Sequence, residues 1–496
     1  MLSEVTRVEK QIWIDHLTSW KSFLYERLSA SEDKGDRIKI ERQLRTIERV
    51  QCGAVLNPTL LSDFISANSS VDQIQICDSF SLELNESQKR AVNNALSSNN
   101  LSLIQGPPGT GKTQVIAEIC LQLCYRNPGI RILVCSETHV AVNNLISRIA
   151  DCDESIRMVR ICDKENDDAI DDYALGTIVQ SFIRWTEDNY NNDEAIKIVS
   201  EELQDISDKS VEKALALSAN ITGMTCNRVA AYAFRDMTEM FDIAIIDEAC
   251  KATLPEILAP LIISNKAVLV GDPKQLPPVF CSEEREIIKS IENCNLHKFM
   301  YVDSLFSSEK AVFLDTQYRM SSNICDMISR LFYNGQLVDG RKEVKIDDLI
   351  WIDYQPSKEW PPYQSKNADH QQIYNLDECE IIVDLVEKIA SSDNPNTTIA
   401  VISPYRAQIK RLREKCRKCD RVKIDTVDGF QGKEADIVIF SVTRTAGTMR
   451  FLADERRLNV ALSRARNKVI IIGSKEYGEK SHLLSAVIDS CKITKA

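Results

Sequence analysis

Residues 101–113, LSLIQGPPGTGKT, run from four largely apolar positions into a glycine-rich turn that closes on lysine and threonine. Gly106, Gly111, Lys112 and Thr113 fill the pattern G-x-x-x-x-G-K-[ST]. A strand-like run, LSLI, precedes the turn, and a helix-like run, TQVIAEICLQLCYR, follows it. Backbone amides and the positive end of a helix dipole therefore both point into the turn, which is what phosphate requires. Lys112 is placed for β- and γ-phosphates and Thr113 for a magnesium ion, so the expected ligands are ATP and Mg2+. A glycine turn that merely joins strand to helix is the plainer reading, and the context on both sides argues against it.

Outward from this turn the same alternation repeats: RILVC, DIAIID and KAVLVG, then TIAVIS, ADIVIFSV and KVIIIG. Strands that are apolar throughout, rather than at every second residue, belong to parallel sheets covered on both faces. The runs fall into two sets, about 101–280 and 310–480, in a chain of 496 residues, longer than one core usually supports. The expected fold is α/β: two tandem parallel-sheet domains, 84–305 with the phosphate loop and 306–496. Residues 1–83 read as a helical leader, with Ile12, Leu17, Trp20, Phe23 and Leu24 at near-helical spacing. A polar, acidic stretch of about 150–220 reads as a helical insertion in the first domain, and 340–375, containing EWPPYQ, as a connecting loop region.

Composition removes several classes. Apolar runs such as IAII (243–246) and VIII (469–472) fall far below the roughly 18 residues of a membrane helix. The first residues, MLSEVTRVEKQIW, carry acids where a signal's apolar core would lie, so an intracellular protein of cytoplasm or nucleus is expected. Sixteen cysteines scattered as singles read as reduced, buried thiols. Cys416 and Cys419 have ligand spacing, but no second pair completes a zinc set. A net charge of −12 argues against a general polyanion binder and leaves local basic tracks, notably 401–423.

Further motifs supply chemistry. In FDIAIIDEAC (241–250), Asp247 emerges at a strand end where it can reach a metal shell, and Glu248 can act as general base. In VLVGDPKQLPP (268–278), Gln275 follows another strand and is suited to sense a γ-phosphate or orient water. Gln88, in LNESQKRAV, is set to contact an adenine edge; with Asn85 it also nearly makes a capping box, and one residue can serve both ends. Arg319 in FLDTQYRM and Arg464 in RRLNVALSRAR are candidates to stabilise charge developing on a γ-phosphate. Tyr318, beside Arg319, can stack on a base. Arg456, Arg457 and Arg466 read as solvated helix residues.

In order, GPPGTGKT, DEAC, GDPKQLPP, QYRM, VDGFQGKEADIVIFSVTR and LNVALSRAR resemble the motifs of superfamily 1 helicases. Their wording is similar to the nonsense-mediated-decay and Senataxin-like branch of superfamily 1B. The resemblance covers about 84–475 and implies two RecA-like domains of the P-loop NTPase class, with ATP at their interface and single-stranded nucleic acid across their tops. It implies an ATP-hydrolysing helicase or translocase moving 5′-to-3′ along single-stranded RNA or DNA. Nucleotide binding falls by resemblance to Gln88, Gly106, Pro107, Pro108, Gly109, Thr110, Gly111, Lys112, Thr113, Gln114 and Tyr318, with Thr113 and Asp247 at magnesium. Water activation goes to Glu248, γ-phosphate sensing to Gln275, and arginine fingers to Arg319 and Arg464. Gly432 and Glu434 are assigned a nucleotide contact across the cleft. Nucleic-acid contacts fall to Thr138, His139, Thr225, Pro404, Tyr405 and Arg406, although Thr138 also suits a helix cap and Arg406 a surface charge.

Two features depart from the family pattern. Many relatives carry a small β-barrel before the phosphate loop, where this chain is short and helical, and the acidic insertion makes a poor strand clamp. Both favour movement along a strand over efficient duplex separation. The acidity also supports a second reading, a nucleotide-dependent switch or scaffold whose ATP-bound form recruits a protein partner. A monomer without membrane contact is expected. A nuclease fusion finds no support, since the leader shows no paired acids and lysine at a strand end; HExxH and serine-elbow motifs are absent as well.

Overall fold

The computed structural model describes residues 7–66, 77, 79–162, 171–178, 181, 184, 188, 217–233, 241–292, 299–306, 310–357, 373–391, 396–416, 421–449 and 451–496. They form two compact units. One comprises Met1–Gln105, Lys112–Pro273 and Pro277–Phe313; the other comprises Gly106–Gly111, Lys274–Leu276 and Leu314–Ala496.

The first unit is built on β1 (Leu101–Gln105), β2 (Ile132–Ser136), β3 (Met158–Arg160), β4 (Ile221–Thr225), β5 (Phe241–Ile246), β6 (Ser264–Gly271) and β7 (Val312–Phe313). They lie in the order β3-β4-β2-β5-β6-β1-β7, every neighbouring pair parallel. β2 and β4 are buried at every residue, as continuous apolar strands in a sheet covered on both faces must be.

The leader folds as α1 (Arg7–Ala30), α2 (Lys34–Cys52) and α3 (Pro58–Ile65). Asp33 caps α2 by accepting from Asp36 N, and Gly53, at φ 80°, closes it in the left-handed conformation that glycine adopts without strain. The packed stripe of α1 is Trp13, Leu17, Trp20 and Leu24, spaced by four, three and four, with Phe23 beside it. Ile12, expected in that stripe, is 48% exposed; it lies about 100° round the helix from Trp13, which takes the inward place. Trp20 and Phe23 meet Phe299 edge-on, with ring centroids 4.5 and 5.2 Å apart, so leader and sheet share one core. Lys39 of α2 adds an ion pair of 3.1 Å to Glu256, whose carboxylate also accepts from Thr253 N and Oγ1. Trp20→Ala is expected to destabilise the first unit by about 3–5 kcal/mol, seen as an earlier denaturant midpoint by circular dichroism; a loss below about 1 kcal/mol would mean that the leader is only loosely attached.

The second unit carries a short parallel pair, β8 (Thr316–Gln317) and β9 (Val338–Asp339), and a six-stranded parallel sheet. That sheet contains β10 (Leu349–Asp353), β11 (Ile399–Ser403), β12 (Val422–Thr426), β13 (Ala435–Ser441), β14 (Ala465–Ile472) and β15 (Lys492–Lys495), in the order β12-β11-β13-β14-β10-β15. The runs TIAVIS, ADIVIFSV and KVIIIG become β11, β13 and β14. β10 corrects the reading of 340–375 as a connecting loop: LIWID is a strand in which Trp351 is fully buried and donates from Nε1 to Gly473 O at 2.9 Å. The charged residues before it left only five positions of signal. EWPPYQ, most of the acidic insertion and Cys419 lie outside the described residues. Both units are thus parallel-sheet α/β folds, in tandem along the chain. No described helix is long and apolar enough to cross a membrane.

Candidate active site

Between β1 and α5 (Lys112–Arg126), which follows α4 (Glu86–Ser97), the glycine-rich turn takes two left-handed residues, Gly109 at φ 74° and Gly111 at φ 78°. Gly109 also has a steric reason: a Cβ there would come within 2.7 Å of Arg319 Cβ. Its carbonyl accepts from Tyr318 N at 2.9 Å, while Thr110 folds back to donate from Oγ1 to Pro107 O at 2.8 Å. Within the second unit, then, backbone contact with the phosphate loop places the candidate stacking ring and the first candidate finger. Tyr318 is 48% exposed, as a stacking ring must be.

β5 delivers Asp247 and Glu248 just past its last residue. Asp247 is buried; burial first, then the negative charge of Glu248, pushes its carboxyl up to about 7, with Lys112 pulling the other way. Its Oδ1 accepts from Glu248 N at 2.9 Å. Glu248 sits at φ 52°, a conformation disfavoured for any side chain and found where the surroundings over-determine the backbone.

The segment ahead of the loop is pinned from α5. Asn85 and Gln88 form both halves of a capping box at the start of α4, and Gln88 is buried with Oε1 accepting from Asn85 N at 3.0 Å. Glu118, fully buried on α5, accepts from Ser81 N and Leu82 N at 3.0 and 2.9 Å, and Gln114 Nε2 donates to Glu83 O at 2.6 Å. Sequence reasoning passed over Glu118, although an acid inside the apolar run VIAEICL was its signal.

In the second unit, Arg464 is buried, with Nε donating to Val460 O at 3.0 Å and Nη2 to Gln275 Oε1 at 3.2 Å. The candidate finger and the candidate phosphate sensor are therefore hydrogen-bonded to one another. Asn459 Nδ2 donates to Lys274 O at 2.8 Å, fixing the turn that carries Gln275. Arg319 donates from Nε to Glu434 Oε2 at 2.6 Å and from Nη1 to Ser463 O at 3.3 Å. Glu434 also receives Arg466, whose Nε reaches Oε1 at 2.9 Å, so Arg466 is a clasp partner and not simply a solvated arginine. Burial alone would raise the Glu434 carboxyl, but Arg319 and Arg466 outweigh it and lower the pKa. Gly432, at φ 78°, has open space where a side chain would stand.

The six candidate strand contacts divide. Thr138 is the N-cap of α6 (His139–Ala150), accepting from Ala141 N at 3.3 Å, the plainer of its two readings. His139 Nδ1 lies 3.0 Å from Nη2 of Arg160, a fully buried arginine whose other nitrogens donate to Asn143 Oδ1 and to the carbonyls of Ile161 and Gly223. A guanidinium only donates, so Nδ1 accepts and the neutral ring carries its proton on Nε2. Thr225 is buried, with Oγ1 accepting from Arg228 N at 3.3 Å. Pro404 is buried, and Tyr405, 1% exposed, accepts from Arg444 Nε at 2.9 Å, so its ring belongs to the interior. Arg406 is exposed at the start of helix Arg406–Lys415.

Comparison with known proteins adds the following. Two AAA domain models match the chain, one over residues 83–214 and 185–283 and the other over residues 295–476. The chain is 32% identical over 456 residues to DNA polymerase alpha-associated DNA helicase A of Saccharomyces cerevisiae, covering 79% of this chain and 65% of that protein. It is 30% identical over 426 residues to the regulator of nonsense transcripts 1 homolog of Neurospora crassa, covering 79% and 37%. Against helicase sen1 of Schizosaccharomyces pombe it is 28% identical over 512 residues, covering 82% and 30%. The chain thus spans less than two thirds of the length of each of these relatives.

Proposed function

We propose that this chain, which belongs to the nonsense-mediated-decay and Senataxin-like branch of the superfamily 1 helicases, hydrolyses ATP in order to move 5′-to-3′ along single-stranded RNA or DNA. The observation that carries the reading is the hydrogen bond between Arg464 and Gln275, taken with Arg319 packed on Gly109. Both guanidiniums are held by the turns that the motifs assign to the nucleotide.

In this reading Lys112 and the amides of the glycine-rich turn hold the β- and γ-phosphates. Thr113 and Asp247 would hold Mg2+, which supplies charge neutralisation on the phosphate oxygens. The donors suit that ion: magnesium favours one or two carboxylates together with phosphate oxygens and water, and a divalent charge at Asp247 offsets the burial and the repulsion from Glu248 that raise its pKa. Glu248 accepts the proton of the attacking water and Gln275 orients that water. Arg319 and Arg464 stabilise the negative charge that develops as the bond to the leaving ADP breaks. His139, with its proton on Nε2, and exposed Arg406 offer donors to the sugar-phosphate track.

ATP turnover measured with matched RNA and DNA oligonucleotides tests the proposal. Several-fold stimulation by at least one of them, weakening as salt rises, is expected. Turnover that is slow and indifferent to both would overturn translocation and favour the nucleotide switch.

A further inference from the structure

Among the described residues with side chains, five take positive φ, and Thr443, at 68°, is the one with a branched β-carbon. Branching makes that conformation a genuine outlier, so something must hold it. The holder is Glu378, fully buried near the start of helix Leu376–Ala390. Thr443 N donates to both of its carboxylate oxygens, at 3.0 and 2.8 Å. Thr443 Oγ1 lies between Ser403 Oγ at 3.0 Å and Ser441 Oγ at 2.9 Å, and its carbonyl accepts from Asn375 Nδ2 at 3.0 Å. Ser441 donates to Glu378 Oε2 at 2.5 Å and Tyr354 OH lies 3.1 Å from Oε1. Burial pushes the Glu378 carboxyl up to about 8, so the group is kept inside at a cost that its geometry must justify.

This network ties together the ends of two neighbouring strands, β11 and β13, which pair at Ile402 and Phe440. Ligand sites of parallel α/β sheets lie at such carboxyl ends. At the last residue of β11, Ser403 Oγ accepts from Tyr405 N at 3.2 Å, and exposed Arg406 follows. Past Thr443, Arg444 donates to Tyr405 OH. The two loops are therefore joined twice, once through Thr443 and Ser403 and once through Arg444 and Tyr405.

We infer that Glu378 is a positioning residue for strand binding: by holding Thr443 in its left-handed conformation it sets the loop 404–406 from which Arg406 meets the nucleic acid. The inference rests on the proposed strand-driven ATPase. Glu378→Ala is expected to raise the oligonucleotide concentration giving half-maximal stimulation by about tenfold, with strand-independent turnover held within about twofold, because it removes the acceptor of a buried N–H. Adding Thr443→Gly should recover part of the loss, since glycine takes positive φ without help, while the Oγ1 link to Ser403 stays missing. An unchanged half-maximal concentration, an equal fall in strand-independent turnover, or no recovery in the double variant would each overturn the inference. If Glu378→Ala fails to fold, Glu378→Gln, which keeps one acceptor oxygen, should give a smaller shift in the same direction, and no shift overturns it. Hydrogen exchange reads the positioning without any strand: amides of 403, 405, 406 and 443–446 should exchange about tenfold faster in the Glu378 variant. A parent chain that ignores oligonucleotides would sink the functional proposal, while unchanged exchange would sink this one.

Discussion

Lys112→Ala is expected to lower ATP turnover by about three orders of magnitude and to weaken ATP binding, because in the proposed function the ammonium group is the fixed cation of the phosphate loop. The residue opens α5 directly after Gly111, whose left-handed backbone turns the chain into the helix. Its charge also opposes the rise of the Asp247 carboxyl, so its loss acts on both the phosphate and the carboxylate side of the chemistry. Steady-state phosphate release and equilibrium binding of a fluorescent ATP analogue separate the two effects. A variant that keeps more than about a tenth of the parent turnover would remove Lys112 from the reacting centre, given the usual worth of such a group.

Arg464→Ala should slow hydrolysis by about a thousandfold while leaving ATP affinity much less changed, since a finger acts on charge that appears in the transition state. The structure adds a second reason. Arg464 Nη2 bonds Gln275 Oε1, and both side chains are buried, so truncation leaves the glutamine carbonyl without this donor as well as removing the guanidinium. Lysine at this position has no planar fork and should rescue little. Single-turnover measurement with ATP already bound is the appropriate assay, and a loss below about tenfold would reduce Arg464 to a structural residue of its helix.

What could be read from sequence was what lies close together along the chain. The phosphate loop, the acids after β5 and the parallel strands each announce themselves within about ten residues, and strands such as ILVCS and IAVIS are legible because both of their faces are buried. Elements of two to five residues, such as β8, β9 and β10, carry too little pattern to separate from loop. Partnerships between distant residues were illegible for a different reason. Glu378 with Thr443, Glu434 with Arg319 and Arg466, and Arg160 with His139 depend on which strands lie side by side, and no local spacing encodes that. Tyr405 shows a further limit: a motif places the residue in a loop, but only packing reveals that its ring turns inward against Phe451 and Arg444. Ile12 and Trp13 differ by a single position, which is enough to exchange solvent for core on a helix.

The aromatic cluster joining Trp20 and Phe23 to Phe280 and Phe299 has a bearing on biosynthesis. The leader is translated well before the rings that cover it, which follow only after most of the first unit. At about 5–20 residues per second the nascent helices wait tens of seconds with tryptophan and phenylalanine uncovered. Until Phe280 and Phe299 arrive, that apolar stripe stays open to any other greasy surface nearby.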